Sequence, residues 1–185
     1  YLYVAKQSYT SENSVAIVNK NTYQVNKFFF NTPPVCVTDG ENRIYISTYS
    51  GKKIYSIIQQ FNTIGDSLEM NITEPAIGTI VSMDSHTLFV LGVSDTSFSS
   101  NVGKRIYKVD TQTKTIDPSF NIIFTGTDDA YGIIYDQIGG KLYVANSKSG
   151  SVNGEIRVYD QSGNLLNTFP DIGGKFPKKM ALKYN

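Results

Sequence analysis

Few residues in this 185-residue chain have side chains suited to chemistry. Two adjacent acids, Asp128 and Asp129, lie in the segment TGTDDAYG on the approach to an apolar stretch, with Tyr131 just beyond. Paired carboxylates can hold a cation, or act as acid and base when their environments split their pKa values. On an ordinary turn they are simply solvated. The one histidine, His86, sits in the turn-like DSHTLF and leaves no company for a histidine triad or a multi-histidine metal site. The one cysteine, Cys36, lies in the apolar run PVCVT; it has no internal disulfide partner and reads as a core residue. Phosphate loops, the dinucleotide fingerprint, EF-hand loops and helical zinc motifs are absent. Asn71 heads an NIT triplet, a glycosylation match short enough to arise by chance. The expectation is therefore no catalytic residue, no metal site and no cofactor.

What remains suits contact. Tyr49 in STYSGKK and the polar stretch 147–153 (SKSGSVN) offer aromatic area and adaptable hydrogen bonds. Lys175 and Lys178 precede the last apolar segment, whereas NTPP precedes Val35, so corresponding loops differ in chemistry. A repeated catalytic centre would need like residues at each, and a recognition surface would not. The candidate binding residues are Tyr49, Asp128, Asp129, Tyr131 and Lys178.

Composition narrows the partner. A formal charge of +1 with 18% charged residues gives no broad field for nucleic acid or an anionic membrane. No apolar run approaches the roughly 20 residues that span a bilayer. The chain does not begin with Met, and the expectation is a processed or trimmed product, with any export signal or lipid anchor upstream of Tyr1.

These residues must be positioned by a repeated scaffold. The segments YLYVA (1–5), RIYIS (43–47), TLFVL (87–91) and KLYVA (141–145) each carry an aliphatic, aromatic, aliphatic trio, as expected of strands buried on both faces. A polar loop follows each, then a more openly alternating strand: 15–18, 53–57, 105–110 and 155–160. Turn residues at Asn19–Asn21, Asp110–Thr111 and Asp160–Gly163 lead into a third; the second unit is unclear beyond Gln59. Another apolar strand precedes three of the trios, at 35–38, 77–83 and 131–135, the last two with a glycine for close backbone approach.

Four short strands recurring at a period of about 46 residues are the content of a β-propeller blade. The units are 33–73, 74–126 and 127–176, with 1–32 completed by 177–185. The C-terminal Met180, Ala181 and Leu182 match Gly132, Ile133 and Ile134, so the last segment is expected to supply the innermost strand of the first blade. The fold class is thus all-β: four antiparallel blades, either a complete small ring or the C-terminal part of a seven- or eight-bladed one.

At GGKLYVANSKSGSVNGEIRVYDQSGNLLNTF, and more weakly at ENRIYISTYSGKKIYSI and NVGKRIYKVDTQTKTI, the chain resembles the YncE-like or surface-layer YVTN propellers. The ending GNLLNTFPDIGGKFPKKMALKYN is similar to the last blade of exported propellers, often lipoproteins, of Bacteroidota. The resemblance implies an exported, non-enzymatic binding scaffold with a protein partner, such as an outer-membrane transporter or secretion channel. A propeller-type lyase, lactonase or hydrolase using an acid pair or a metal in the central channel, and an architectural module of a larger surface protein, are the alternatives. Sharing a blade pattern does not transfer function.

Overall fold

In each aliphatic, aromatic, aliphatic trio, the pleat sends the two outer residues to one side of a sheet and the aromatic to the other. A computed structural model of the chain describes all residues except 7–11, 41–42, 49–50, 59–62, 95–101, 176–179 and 185. The described residues form antiparallel strands, one short 3-10 turn at Lys148–Gly150 and no α-helix.

The first sheet orders β1 (Leu2–Lys6), β2 (Asn13–Val18) and β3 (Val25–Phe30). The second orders β4 (Pro34–Gly40), β5 (Arg43–Thr48), β6 (Lys53–Ile58) and β7 (Thr63–Glu69), the last supplying the strand that the sequence left unclear. In the third, β8 (Ala76–Ser82), β9 (Thr87–Val93) and β10 (Gly103–Asp110) lie side by side. Its outermost strand is split into β11 (Thr115–Ile116) and β12 (Ile122–Ile123), both paired with β10. The fourth orders β13 (Ala130–Asp136), β14 (Lys141–Asn146), β15 (Glu155–Tyr159) and β16 (Leu165–Phe169). One bridge, Gly103 opposite Ala130, ties the third sheet to the fourth.

The core is divided into walls between successive sheets. Ile44 and Ile46 pack with Val15 and Ile17 of the first sheet. Tyr45, on the other side of β5, packs with Leu88 and Val90 of the third. Phe89 turns the opposite way, into a cluster with Leu142 and Val144 of the fourth, and its ring lies 5.2 Å from Phe120 and 5.3 Å from Tyr135. Each fully buried aliphatic or aromatic residue contributes roughly 1.5–3 kcal/mol, so these walls hold the sheets face to face. Polar bonds fasten the same junctions: Tyr45 Oη donates to the Ser85 carbonyl at 2.9 Å, and Ser47 Oγ to the Gly78 carbonyl at 2.8 Å.

The turns follow one rule. Asp84, Asp110, Asp136 and Asp160 each accept two backbone N–H bonds from residues two to four positions ahead through Oδ1, and Asn19 does the same. A short acceptor side chain that folds back on its own turn is what fixes these hairpins. His86 is exposed in such a turn, and its carbonyl accepts the Thr111 N–H. Cys36 lies in β4, and its side chain is outside the described residues.

The C-terminus differs from expectation. Among the described residues 180–184 form no strand and β1 pairs only with β2, so no closing strand is formed among them; 177–179 of the expected strand lie outside the described residues. Tyr184 Oη instead donates to Asp136 Oδ1 at 2.9 Å, holding the chain end on the fourth sheet. The physical reason lies in the order of the sheets: the first and fourth are separated by the second and third, which pack between them.

Candidate functional site

The fourth sheet begins with a kink. Ala130 lies opposite Asn146 and Gly132 opposite Ala145, which leaves Tyr131 as the extra residue of a β-bulge. The same shift occurs near the start of the other inner strands, at Val35 in β4 and between Ile77 and Ile80 in β8. A bulge re-aims the chain entering it, and here that chain carries Asp128 and Asp129.

Both acids converge on Asn146, the last residue of β14, which is completely buried. Its Nδ2 donates to Asp128 Oδ1 at 2.9 Å and to Glu155 Oε1 at 3.0 Å. Its Oδ1 accepts the Asp129 N–H at 2.9 Å and the Lys148 N–H at 3.1 Å. Both ends of the amide are therefore used, which is what burial of such a group demands.

Cations complete the cluster. Arg157, on β15, donates from Nε to Glu155 Oε1 at 2.7 Å and from Nη2 to Asp128 Oδ2 at 2.8 Å. Lys148 Nζ lies 2.7 Å from Glu155 Oε2. Lys104 reaches across from β10 of the third sheet, bonding the Asp129 carboxylate and, at 3.3 Å, the Asp128 carbonyl. Three carboxylates thus meet three cations. The Ser147 N–H donates to the Asp129 carbonyl at 2.9 Å, which draws the loop after β14 onto the loop before β13.

The electrostatics follow from these contacts. Burial pushes the Asp128 carboxyl up, but Asn146 and Arg157 outweigh it and hold the group below the usual carboxylate range. Glu155 behaves alike, burial being overcome by Lys148 and Arg157. Arg157 is in turn held above its ordinary value: burial opposes its charge and Asp128 more than restores it. Burial, then the Asp129 charge, pushes the Tyr131 hydroxyl up. An acid–base pair needs one carboxyl raised and one lowered, whereas Asp128 and Glu155 move in the same direction. Both are acceptors at neutral pH. Among the described residues no group of three His, Cys, Asp or Glu side chains is placed to hold a metal ion.

A related clasp stands in the third sheet. Glu74, on the loop before β8, accepts the Tyr107 hydroxyl of β10 and, at 3.2 Å, the Thr73 hydroxyl. Arg105 lies beside it at 4.0 Å. Burial and the Glu74 carboxylate push the Tyr107 hydroxyl up. Corresponding loops of successive sheets thus carry different chemistry on the same geometry.

Of the residues expected from the sequence, Asp128 and Asp129 come together on Asn146 and Tyr131 is the bulge residue just beyond them, while Tyr49 and Lys178 lie outside the described residues. The solvated turn expected as the ordinary state of the acid pair is not what forms. Asp129 is only 5% exposed, because Lys104 and Ser147 cover it. Sequence reasoning missed Lys104, Asn146, Glu155 and Arg157, and took Lys148 only as part of the polar stretch 147–153. The signal was present in GEIRVYD, where a Glu and an Arg two residues apart share one face of a strand otherwise suited to burial.

No protein-family model matches the chain, and no curated protein matches it. Solved structures do. The chain is similar to hydrazine synthase of Kuenenia stuttgartiensis at 16% identity and a TM-score of 0.66, covering 84% of this chain and 42% of that one. It is similar to the Cps50 (Swd1) β-propeller domain of Myceliophteria thermophila at 11% identity and a TM-score of 0.63, covering 88% and 50%. A chain of a mitotic checkpoint complex matches at 12% identity and a TM-score of 0.66, covering 93% and 47%. At such identities the likeness shows the fold alone: the chain is built of β-propeller blades. It spans half or less of each of these chains.

Proposed function

We propose that this chain is a non-catalytic binding scaffold that presents the loops around Asp128 and Lys148 to a protein partner. The observation that carries the reading is the state of the acid pair. Asp128 and Asp129 are engaged by Asn146, Arg157 and Lys104, so they shape a surface instead of supplying a proton. Unlike loops on like sheets also suit recognition, because each can evolve separately on a rigid support. The resemblance to YncE-like exported propellers extends the reading to an accessory subunit of an outer-membrane transport or secretion assembly.

Affinity capture of the tagged chain from membranes of the native source tests it. The expected result is one stoichiometric channel or transporter partner, retained at physiological salt and lost on Lys148→Glu. Bound metal or turnover that disappears with Asp128→Ala and Asp129→Ala would overturn the scaffold in favour of a propeller enzyme. Recovery only as part of a longer polypeptide, with no separate partner, would make it an architectural module.

A further inference from the structure

The polar clusters of the third and fourth sheets use the same places, but only the fourth pairs all its charges. Arg105 lies opposite Gly92 across the β9–β10 ladder, as Glu155 lies opposite Asn146 across the β14–β15 ladder. Arg105 thus holds the place of Glu155, and Gly92 that of the amide that ties the fourth cluster together. No side chain fits there, because a Cβ on Gly92 would lie 3.0 Å from both Glu74 Oε2 and Tyr107 Cε2. The third cluster closes without a bridging amide.

What closes it leaves Arg105 out. Glu74 takes the Tyr107 and Thr73 hydroxyls on Oε2, and its Oε1 stands 4.0 Å from Arg105 Nε, beyond hydrogen-bond distance. Nε is buried without a partner, and among the described residues the guanidinium donates no hydrogen bond. Its Cζ lies over the Tyr107 ring, 5.7 Å from the centroid, a contact that holds the cation and satisfies no N–H. The neighbouring cations are all engaged: Lys104 by Asp129, Lys148 by Glu155, and Arg157 by Asp128 and Glu155. With its side chain 32% exposed, Arg105 can be reached from solvent.

We infer that Arg105 is the seat of a carboxylate brought from outside the chain. A guanidinium with unspent N–H groups matches the two oxygens of a carboxylate through parallel hydrogen bonds. Glu74, beside it, repels a doubly charged phosphate twice as strongly as a singly charged acid, so the seat favours the single charge. Lys104, next in sequence, bonds the Asp129 carboxylate, so the seat adjoins the loops proposed above for a protein partner. The inference rests on that reading for its source, an acidic side chain of the partner. A free small acid carries the same group.

Nitrogen resonances of the full chain, labelled at its three arginines, test the seat without the partner. The probe is N-acetylglutamate N-methylamide, whose one charge is its side-chain carboxylate. It should shift the Arg105 guanidinium signals saturably in the millimolar range, and its neutral glutamine counterpart should not. Arg157 should not move, because Asp128 and Glu155 already cover it. Arg105→Lys identifies the signals. Glu74→Gln removes the competing charge, keeps an acceptor for Tyr107 and should tighten binding about threefold. No saturable shift, a shift reproduced by sodium chloride at equal strength, or one shared alike by all three arginines would overturn the inference.

Capture from native membranes separates the two sources. Arg105→Gln should lower recovery of the partner by about tenfold where the partner supplies the carboxylate. Unchanged recovery beside a saturable shift assigns the seat to a free acid. A saturable shift with no partner captured overturns the scaffold reading and leaves the seat standing.

Discussion

Tyr107 in the third sheet occupies the place of Arg157 in the fourth. Tyr107 lies opposite Val90 and Arg157 opposite Val144, the same member of each trio, and each donates to a carboxylate placed two residues before its inner strand. Glu74 precedes Ala76 as Asp128 precedes Ala130. The clasp between the third strand and the loop leading into the first is therefore conserved in geometry between these sheets and varied in charge.

Removing the cation at that place should be costly. Arg157→Leu leaves Asp128 and Glu155 partly buried with one partner fewer, and loss of one member of a buried pair costs about 3 kcal/mol. The expected drop in melting temperature is roughly 6–12 °C for a chain of this size. Thermal unfolding followed by circular dichroism checks it, and Arg157→Lys should recover only part, because a single ammonium cannot reproduce the fork to two carboxylates.

Acid should loosen the same cluster. Asp128 and Glu155 have folded-state pKa values below their ordinary 3.8 and 4.5, so their contribution is fully present above those values. It is lost as the pH falls through the lower folded values. Denaturant midpoints measured from pH 7 down to pH 2 should therefore fall mainly below about pH 4.5, and the fall should shrink in Asp128→Asn.

The wall between the third and fourth sheets should be the most sensitive to truncation. Phe89 is 0% exposed between Phe120 and Tyr135, and Phe89→Ala should cost about 3–5 kcal/mol. Urea unfolding measures this, and Phe89→Leu should recover most of the loss.

Gly103 is tested by the smallest addition. A Cβ there would lie 2.7 Å from the Ala130 carbonyl oxygen and meet the Leu91 side chain. Backbone cannot retreat as a side-chain tip can, so Gly103→Ala should destabilise by about 1–3 kcal/mol. Hydrogen exchange should show the loss first at Ala130, where the bridge between the two sheets is made.

Much of the architecture was legible because it rests on local pattern. The trios at Leu2, Ile44, Leu88 and Leu142 announce their strands by period, and Asp84, Asp110, Asp136 and Asp160 announce the turns by side-chain chemistry. The strand β7 was missed because TIGDSLE alternates weakly. The acid cluster was half legible: Asp128 and Asp129 stand out as neighbours, but Lys104 is 24 residues from Asp128 and Arg157 is 29 away. Contacts made across sheets carry no periodic signal. The chain end was misplaced because 180–184 match an inner strand locally, and local match says nothing about which edge is within reach.

Each wall of the core belongs to two sheets at once, and this makes the pair the smallest stable object in the molecule. Cooperative unfolding should consequently spread by neighbours, like a row of leaning books in which the end volumes go first. Lengthening the row by one blade adds a whole wall of burial, whereas trimming one exposes a surface as greasy as the interior it formerly closed.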